Sequence, residues 1–335
     1  MGGDGSEHMK FLSSETLNSE ISMLDIVTMV EDAYREEGKG RVVSSPRNQL
    51  RSEETHTFFN VLPCLLPKLG VVGVNTYTGG NKGAPLMQKV ILLFSSDDGG
   101  LLAILEADWI SWMRTGASSG VATKFLAKED ASRVGIFGSG RQARSQLWAV
   151  SEVRELTEAL VYSPNQEHRE NYASDMSEKL GIEVCAVDSA DAVLEQSEII
   201  CTATTSHTPV FDGGAVAPGT HVNVIGQHYP DRREVDTKLI AKSKLVVDDR
   251  QRAWQEDGEL LIPLAEKAID KTSIHGSLGE VVAKVKAGRE GDEITLFSSG
   301  GIASEVLAVA AGVYRVAEEN GLGQEIEWSG PIELK

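Results

Sequence analysis

The stretch Val134-Gly135-Ile136-Phe137-Gly138-Ser139-Gly140 constrains this chain more than any other: an apolar strand runs into a glycine turn, and a helical run from Ala143 to Val150 follows directly. Gly138 permits a tight turn. Gly140 lets the backbone approach a phosphate closely, and Ala143 is small enough for helix and strand to pack together. The free N–H groups and the dipole of the helix N-terminus favour an anion. From Arg133 onward strands and helices alternate, with strands expected at 134–137, 159–162, 183–186, 199–202, 221–225, 245–247 and 294–297. That alternation predicts a parallel sheet with crossover helices. A glycine turn inside a βαβ frame reads as a dinucleotide pyrophosphate site, with contacts expected at Gly138, Ser139, Gly140, Gln142 and Ala143.

The end of the second strand bears on cofactor choice. An NAD site carries Asp or Glu there, about 20 residues after the glycines, to hold the ribose hydroxyls. Here the strand ends Val161-Tyr162-Ser163-Pro164-Asn165, with no acid before Glu167 and with Arg169 just beyond. This predicts NADP (NADPH), with Ser163, Asn165 and Arg169 around the 2′-phosphate, and leaves NAD possible. The competing reading of Arg169 is a solvated helix residue.

The 335 residues suffice for two domains. A net charge of -18 excludes nucleic-acid and membrane-surface partners, because phosphate backbones and anionic lipid would repel it. Cys64, Cys185 and Cys201 are scattered, without metal-ligand spacing, and read as reduced thiols of a cytoplasmic protein; no metal is expected. The opening nine residues, Met1 to Met9, lack the apolar core of a signal peptide. They read as a leader outside the fold, with Met9 the natural start. Ser22-Met-Leu-Asp25 reads as a helix start, with Ile26, Val27, Val30, Ala33 and Tyr34 at helical spacing. Residues 42–104 are strand-like, with a turn at Asp97-Asp98-Gly99-Gly100. Two helices rich in small residues, 113–125 and 303–320, suit close packing. The later one could return to the first domain and make it discontinuous.

Four motifs in order, Arg114-Thr-Gly-Ala-Ser-Ser-Gly-Val-Ala-Thr-Lys-Phe-Leu126, Gly138-Ser-Gly-Arg-Gln-Ala-Arg144, Asn223-Val-Ile-Gly226 with Arg233-Glu-Val-Asp236, and Thr295-Leu-Phe-Ser-Ser-Gly-Gly-Ile-Ala303, make the chain resemble the ornithine cyclodeaminase/μ-crystallin family. The resemblance implies an α/β fold: a Rossmann dinucleotide-binding domain over 127–304, and a discontinuous α+β substrate and dimerisation domain over 10–126 and 305–335. It implies a homodimer with the active site in the interdomain cleft, and further cofactor contacts at Thr202, Thr204, Gly226 and Gly300. The family's carboxylate-binding arginines match Arg47 and Arg114, whose guanidinium forks suit a carboxylate. Its catalytic lysine belongs in Gly70-Val-Val-Gly-Val-Asn-Thr-Tyr77, which has none. The position falls on Asn75, the favoured register, or on Gly73. Tyr77 shares that face of the strand and joins the substrate set, while Val72 and Val74 are expected to face the core. Lys68, Lys82 and Lys89 lie nearby and are expected to be solvated. The cyclodeaminase aspartate falls in Gly226-Gln-His-Tyr-Pro230, where His228 stands instead as an acid–base group. The implied activity is NAD(P)H-dependent reduction of a small-molecule imine, or the reverse oxidation of an amine or amino acid, with a keto acid plus an amine as an imine source. The alternatives are a cyclodeaminase-like lyase and an NADPH-dependent binding protein.

Overall fold

A computed structural model describes residues 7–18, 20–80, 87–226 and 229–328. The described residues form two compact units: 7–22, 40–111 and 303–328 make the first, and 23–39 with 112–302 the second. This division differs from the expected boundaries, since 23–39 and 112–126 group with the second unit.

The first unit is one sheet. Its strands are β1 (Glu7–Leu12), β2 (Val43–Ser44), β3 (Asn48–Ser52), β4 (Thr57–Leu66), β5 (Val71–Gly79), β6 (Gln88–Ser95), β7 (Leu101–Glu106) and, from the end of the chain, β16 (Gln324–Trp328). They lie in the order β16-β1-β7-β6-β5-β4-β2, with β3 also on β4. β6 and β7 meet at the expected 97–100 turn. The sheet is antiparallel except where β1 runs parallel to β7. The short helix α1 (Ser14–Asn18) follows β1, and the last helix, α11 (Ala303–Asn320), lies against β4, β5 and β6. Residues 7–9, expected outside the fold, are part of it: β1 begins at Glu7, and Met9 is 4% exposed.

The second unit is built on eight parallel strands: β8 (Arg133–Phe137), β9 (Glu158–Tyr162), β10 (Glu183–Ala186), β11 (Ile199–Thr202), β12 (His221–Val224), β13 (Lys244–Val247), β14 (Ile274–Ser277) and β15 (Thr295–Ser298). Their order is β10-β9-β8-β11-β12-β15-β13-β14, so the chain moves outward from β8, then returns to its other side. β14, only four residues with a glycine inside, was not legible as a strand. The helices are α2 (Met23–Gly38), α3 (Ala107–Leu126, whose first turn belongs to the first unit), α4 (Arg141–Ser151), α5 (Gln166–Leu180), α6 (Ala190–Gln196), α7 (Thr237–Lys242), α8 (Arg250–Glu256), α9 (Gly258–Ala265) and α10 (Leu278–Val282). α4 and α5 cover Val134, Ile136, Val161 and Cys201 on one face. α6 and α7 cover Phe137, Ile200, Val222 and Leu296 on the other. Burial on both faces explains why these strands are apolar runs rather than alternating ones. The small residues of α3 have a concrete partner: side chains at Gly116 and Gly120 would press on the backbone of Ser145 and Ala149 in α4. α2 meets α10 where Gly38 touches Gly279, which is why it groups with the second unit.

Candidate functional site

At the carboxyl ends of β8, β11, β12 and β15 the second unit opens a cavity of about 320 Å³. This is the switch point of the strand order, where doubly wound sheets bind their ligands. Gly138 has φ +107, and a side chain there would collide with the Ala203 carbonyl, so the turn requires glycine. Gly140 caps α4 at φ -83 and ψ -175, a conformation open to any residue, and a Cβ there would meet no protein atom within 4 Å. The protein itself gives Gly140 no reason to lack a side chain; the space above it faces the cavity. Ala143 is fully buried, and its carbonyl accepts the Tyr172 hydroxyl at 2.9 Å.

Of the other expected contacts, Gln142, Thr204, Gly226 and Gly300 line the cavity, and so does Arg114. Residues not foreseen from sequence are Thr115, Arg141, Ala203, Thr205, Ile225, Ser299 and Gly301. Arg141 lies over the Trp112 ring and returns its carbonyl to the indole N–H at 2.6 Å. Among the described residues the wall therefore carries two guanidinium groups and no carboxylate, although the chain has a net charge of -18. Such a wall selects anions.

Buried carboxylates hold the floor from behind. Glu234 accepts the Thr202 hydroxyl at 2.7 Å and the Thr204 N–H at 2.5 Å, and a side chain on Gly226 would strike it. Thr202 thus acts beneath the cavity, not in its wall. Burial raises the Glu234 carboxyl above the usual range, against the lowering effect of the Thr204 and Thr202 bonds. Asp248 accepts the N–H groups of Gly300 and Gly301 at 2.7 and 2.6 Å and pairs with Arg252 at 2.7 Å. Burial alone would raise its carboxyl, but the Arg252 charge and hydrogen bonds outweigh that and hold it below the usual value. Glu234 sits in the Arg233-Glu-Val-Asp236 motif and was within reach of sequence reasoning; Asp248 had no such signal.

Beside the glycine turn, the Ser139 and Ser163 hydroxyls bond at 3.0 Å. The Asn165 side chain caps α5 by accepting the His168 N–H at 2.9 Å. Arg169 is neither solvated nor in the cavity wall. It is 8% exposed, donating to the Ser163 carbonyl at 3.1 Å and to Asp188 at 2.5 Å. His228 and Lys82 lie outside the described residues.

In the first unit the register sets Asn60, Tyr77 and Lys89 side by side across β4, β5 and β6, with Asn75 two residues from Tyr77 on the same face. Arg47 directly precedes β3 and is half-buried. The expected inward face of β5 is corrected. Val71, Gly73 and Asn75 are the buried set, while Val72 and Val74 are partly exposed. A side chain on Gly73 would touch Leu307 of α11, so this is the face that α11 covers. It is apolar along most of its length and polar only at the Asn75–Tyr77 end. Asn75 is 7% exposed, and its Oδ1 meets no donor. Lys89, expected to be solvated, has a side chain only 15% exposed; it donates to Ser111 Oγ at 3.2 Å and faces Asp108 at 3.6 Å.

This architecture has close counterparts. The Δ1-pyrroline-2-carboxylate reductase of Thermococcus litoralis, solved with NADH and L-proline, superposes with a TM-score of 0.90 at 41% identity, covering 95% of this chain and 100% of that one. An archaeal alanine dehydrogenase dimer with bound NAD gives a TM-score of 0.88 at 32% identity, covering 96% and 99%. A Δ1-pyrroline-2-carboxylate reductase of Bacillus cereus is 31% identical over 326 residues, 96% of this chain and 100% of that protein. The model of the ornithine cyclodeaminase/mu-crystallin family matches residues 7–321, and the chain belongs to that family.

Proposed function

We propose that this protein is an NAD(P)H-dependent reductase of C=N bonds in small, carboxylate-bearing imines, with the reverse oxidation of an amino acid open to it. The observation that carries this reading is the cavity at the strand switch point, whose described wall holds Arg114, Arg141 and the open space over Gly140 but no carboxylate. The N-terminus of α4 and the Gly138–Gly140 turn would hold the pyrophosphate. When bound, the reduced nicotinamide supplies a hydride for an imine carbon. Arg114 and Arg47 are assigned to the substrate carboxylate, Asn75 and Tyr77 to its nitrogen end, and His228 to acid–base work. Δ1-Pyrroline-2-carboxylate is the first substrate to test, since two relatives are reductases of it.

NADPH is the proposed cofactor, with NADH also accepted. Ser163-Pro164-Asn165 places no acid where a 2′-phosphate would be repelled. Arg169 adds nothing to this preference, because its guanidinium is engaged with Ser163 and Asp188. The proposed location is the cytoplasm, in keeping with the three free cysteines. No helix among the described residues is long and apolar enough to cross a membrane.

The proposed assembly is a homodimer, the archaeal alanine dehydrogenase relative being a dimer. The supporting observation is the sheet face of the first unit opposite α11. Val43, Leu50, Phe59 and Val90 are exposed there, beside the partly exposed Val72 and Val74. Unpartnered apolar sheet of this kind marks an interface.

The deciding experiment follows nicotinamide absorbance while imines, and mixtures of keto acid with amine, are offered with NADPH or NADH. Stoichiometric consumption supports the reductase. Product without net consumption would favour a cyclodeaminase-like lyase, and tight cofactor binding without turnover a binding protein.

A further inference from the structure

The polar end of the α11-covered face lacks a lysine on β5, yet it does not lack an ammonium. Lys89 on β6 is directly opposite Tyr77, which is itself opposite Asn60. Ile91 and Leu93, two and four residues further along β6, are fully buried on the same face. Alternation along the strand therefore turns Lys89 inward as well. Its side chain is 15% exposed, and its ammonium is held by Ser111 and Asp108. The adjacent Asn75 leaves a deeply buried acceptor oxygen without a donor, which marks this end of the face as built for a group the chain does not supply.

We propose that Lys89, rather than His228, is the proton donor of the imine reduction, standing in for the lysine that β5 does not carry; the proposal rests on the reductase reading above. Asn60, Asn75 and Tyr77 are two amides and a phenol, and Arg47 cannot give up a proton near neutral pH. The Tyr77 phenol and the Lys89 ammonium are the proton donors among these groups, and Lys89 is favoured because Asp108 beside it gives a route by which its proton is replaced. As hydride forms a C–H bond at the imine carbon, the π bond of C=N breaks and its electron pair moves to nitrogen. Nitrogen takes the proton from Lys89 Nζ, leaving a neutral amine. Asp108, whose side chain is 43% exposed, connects that amine to water, from which the proton is restored. Once the nitrogen carries that proton, Asn75 Oδ1 accepts the new N–H and holds the amine product in place.

The test compares wild type with Lys89→Gln and Lys89→Arg. Imine turnover by the wild type must be seen first; its absence refutes the reductase reading and says nothing about Lys89. Both variants are expected to bind NADPH as the wild type does by fluorescence titration, to lose at least about tenfold in kcat, and to lose the pH dependence of kcat at its alkaline limb. Lys89→Arg keeps the charge and the Asp108 ion pair, so it should fold even if Lys89→Gln does not, and still be slow. Wild-type kcat and pH profile in Lys89→Arg would overturn the proposal and leave Lys89 a structural cation. A rise in KM alone, with kcat and its pH profile intact, would overturn it equally.

Discussion

The two glycines of the cofactor turn should respond to substitution in opposite ways. Gly140→Ala places a methyl in a conformation any residue adopts, with no protein atom within 4 Å. Losing glycine freedom in the unfolded chain stabilises by about 0.4–1 kcal/mol. Alanine is the poorer helix cap by a few tenths of a kcal/mol or more, so the two effects nearly cancel. Unliganded stability should therefore stay within about 1 kcal/mol of wild type. The same methyl occupies the space where the pyrophosphate must approach the N–H groups of α4. Displacing one or two charge-assisted hydrogen bonds costs about 1.5–3 kcal/mol each, so NADH and NADPH should both bind roughly ten- to a hundredfold more weakly or worse, and Gly140→Val more weakly still. Gly138→Ala should behave otherwise. At φ +107, with the Ala203 carbonyl in the way, it should lower stability by about 1–3 kcal/mol before any ligand is added. Differential scanning fluorimetry without cofactor gives the first quantity, and fluorescence titration gives the second. Wild-type cofactor affinity in Gly140→Val would refute the reasoning, because the space over Gly140 would then have no ligand in it.

Three further outcomes follow from the second unit. Asp248→Ala should cost about 3–5 kcal/mol, seen as a lower midpoint in urea, since it leaves the buried Arg252 without its closest partner and frees the N–H groups of Gly300 and Gly301. Arg169→Ala should lower Tm modestly, because Asp188 is 94% exposed and the ion pair is worth about 0–1 kcal/mol, while the ratio of NADPH to NADH affinity stays the same; a selective loss of NADPH would return Arg169 to the 2′-phosphate. His221 is held neutral by burial first and by the Arg289 charge second, its pKa lowered from 6.5 to about 3, so the unfolded chain binds the extra proton as the medium is acidified and stability falls between those values. Near pH 5 this amounts to about 2 kcal/mol, from roughly 1.4 kcal/mol per pH unit, and His221→Gln should flatten that part of the urea-midpoint profile against pH.

The second unit was legible because its signals are local. Glycine, strand and helix stand in one short run from 134 to 150, and the strands are apolar since helices cover both their faces. Arg169 shows where such local signals end. Position in the sequence put a guanidinium near the ribose end of the site, but its direction is decided by the Ser163 carbonyl and by Asp188, 19 residues on. Asp248, which holds the Gly300–Gly301 turn across 53 residues, left no local trace at all.

Strand β5 failed in a different way. Alternation separates Gly73, Asn75 and Tyr77 from Val72 and Val74, and that separation holds in the structure. What alternation cannot supply is which set turns inward. Hydropathy votes for the valines, and the vote goes wrong because the covering element, α11, comes from the far end of the chain, where no signal near β5 announces it. The inward face carries Asn75 at its polar end, where Tyr77, Asn60 and Lys89 gather. The outward valines make sense once that face is itself to be covered by a second subunit. A dimer through the β2–β6 surface, as proposed above, thus accounts for the outward valines. Phe59→Glu with Val90→Glu should convert the protein to monomers in light-scattering chromatography; a dimer that survives both charges would leave the exposed valines without an explanation.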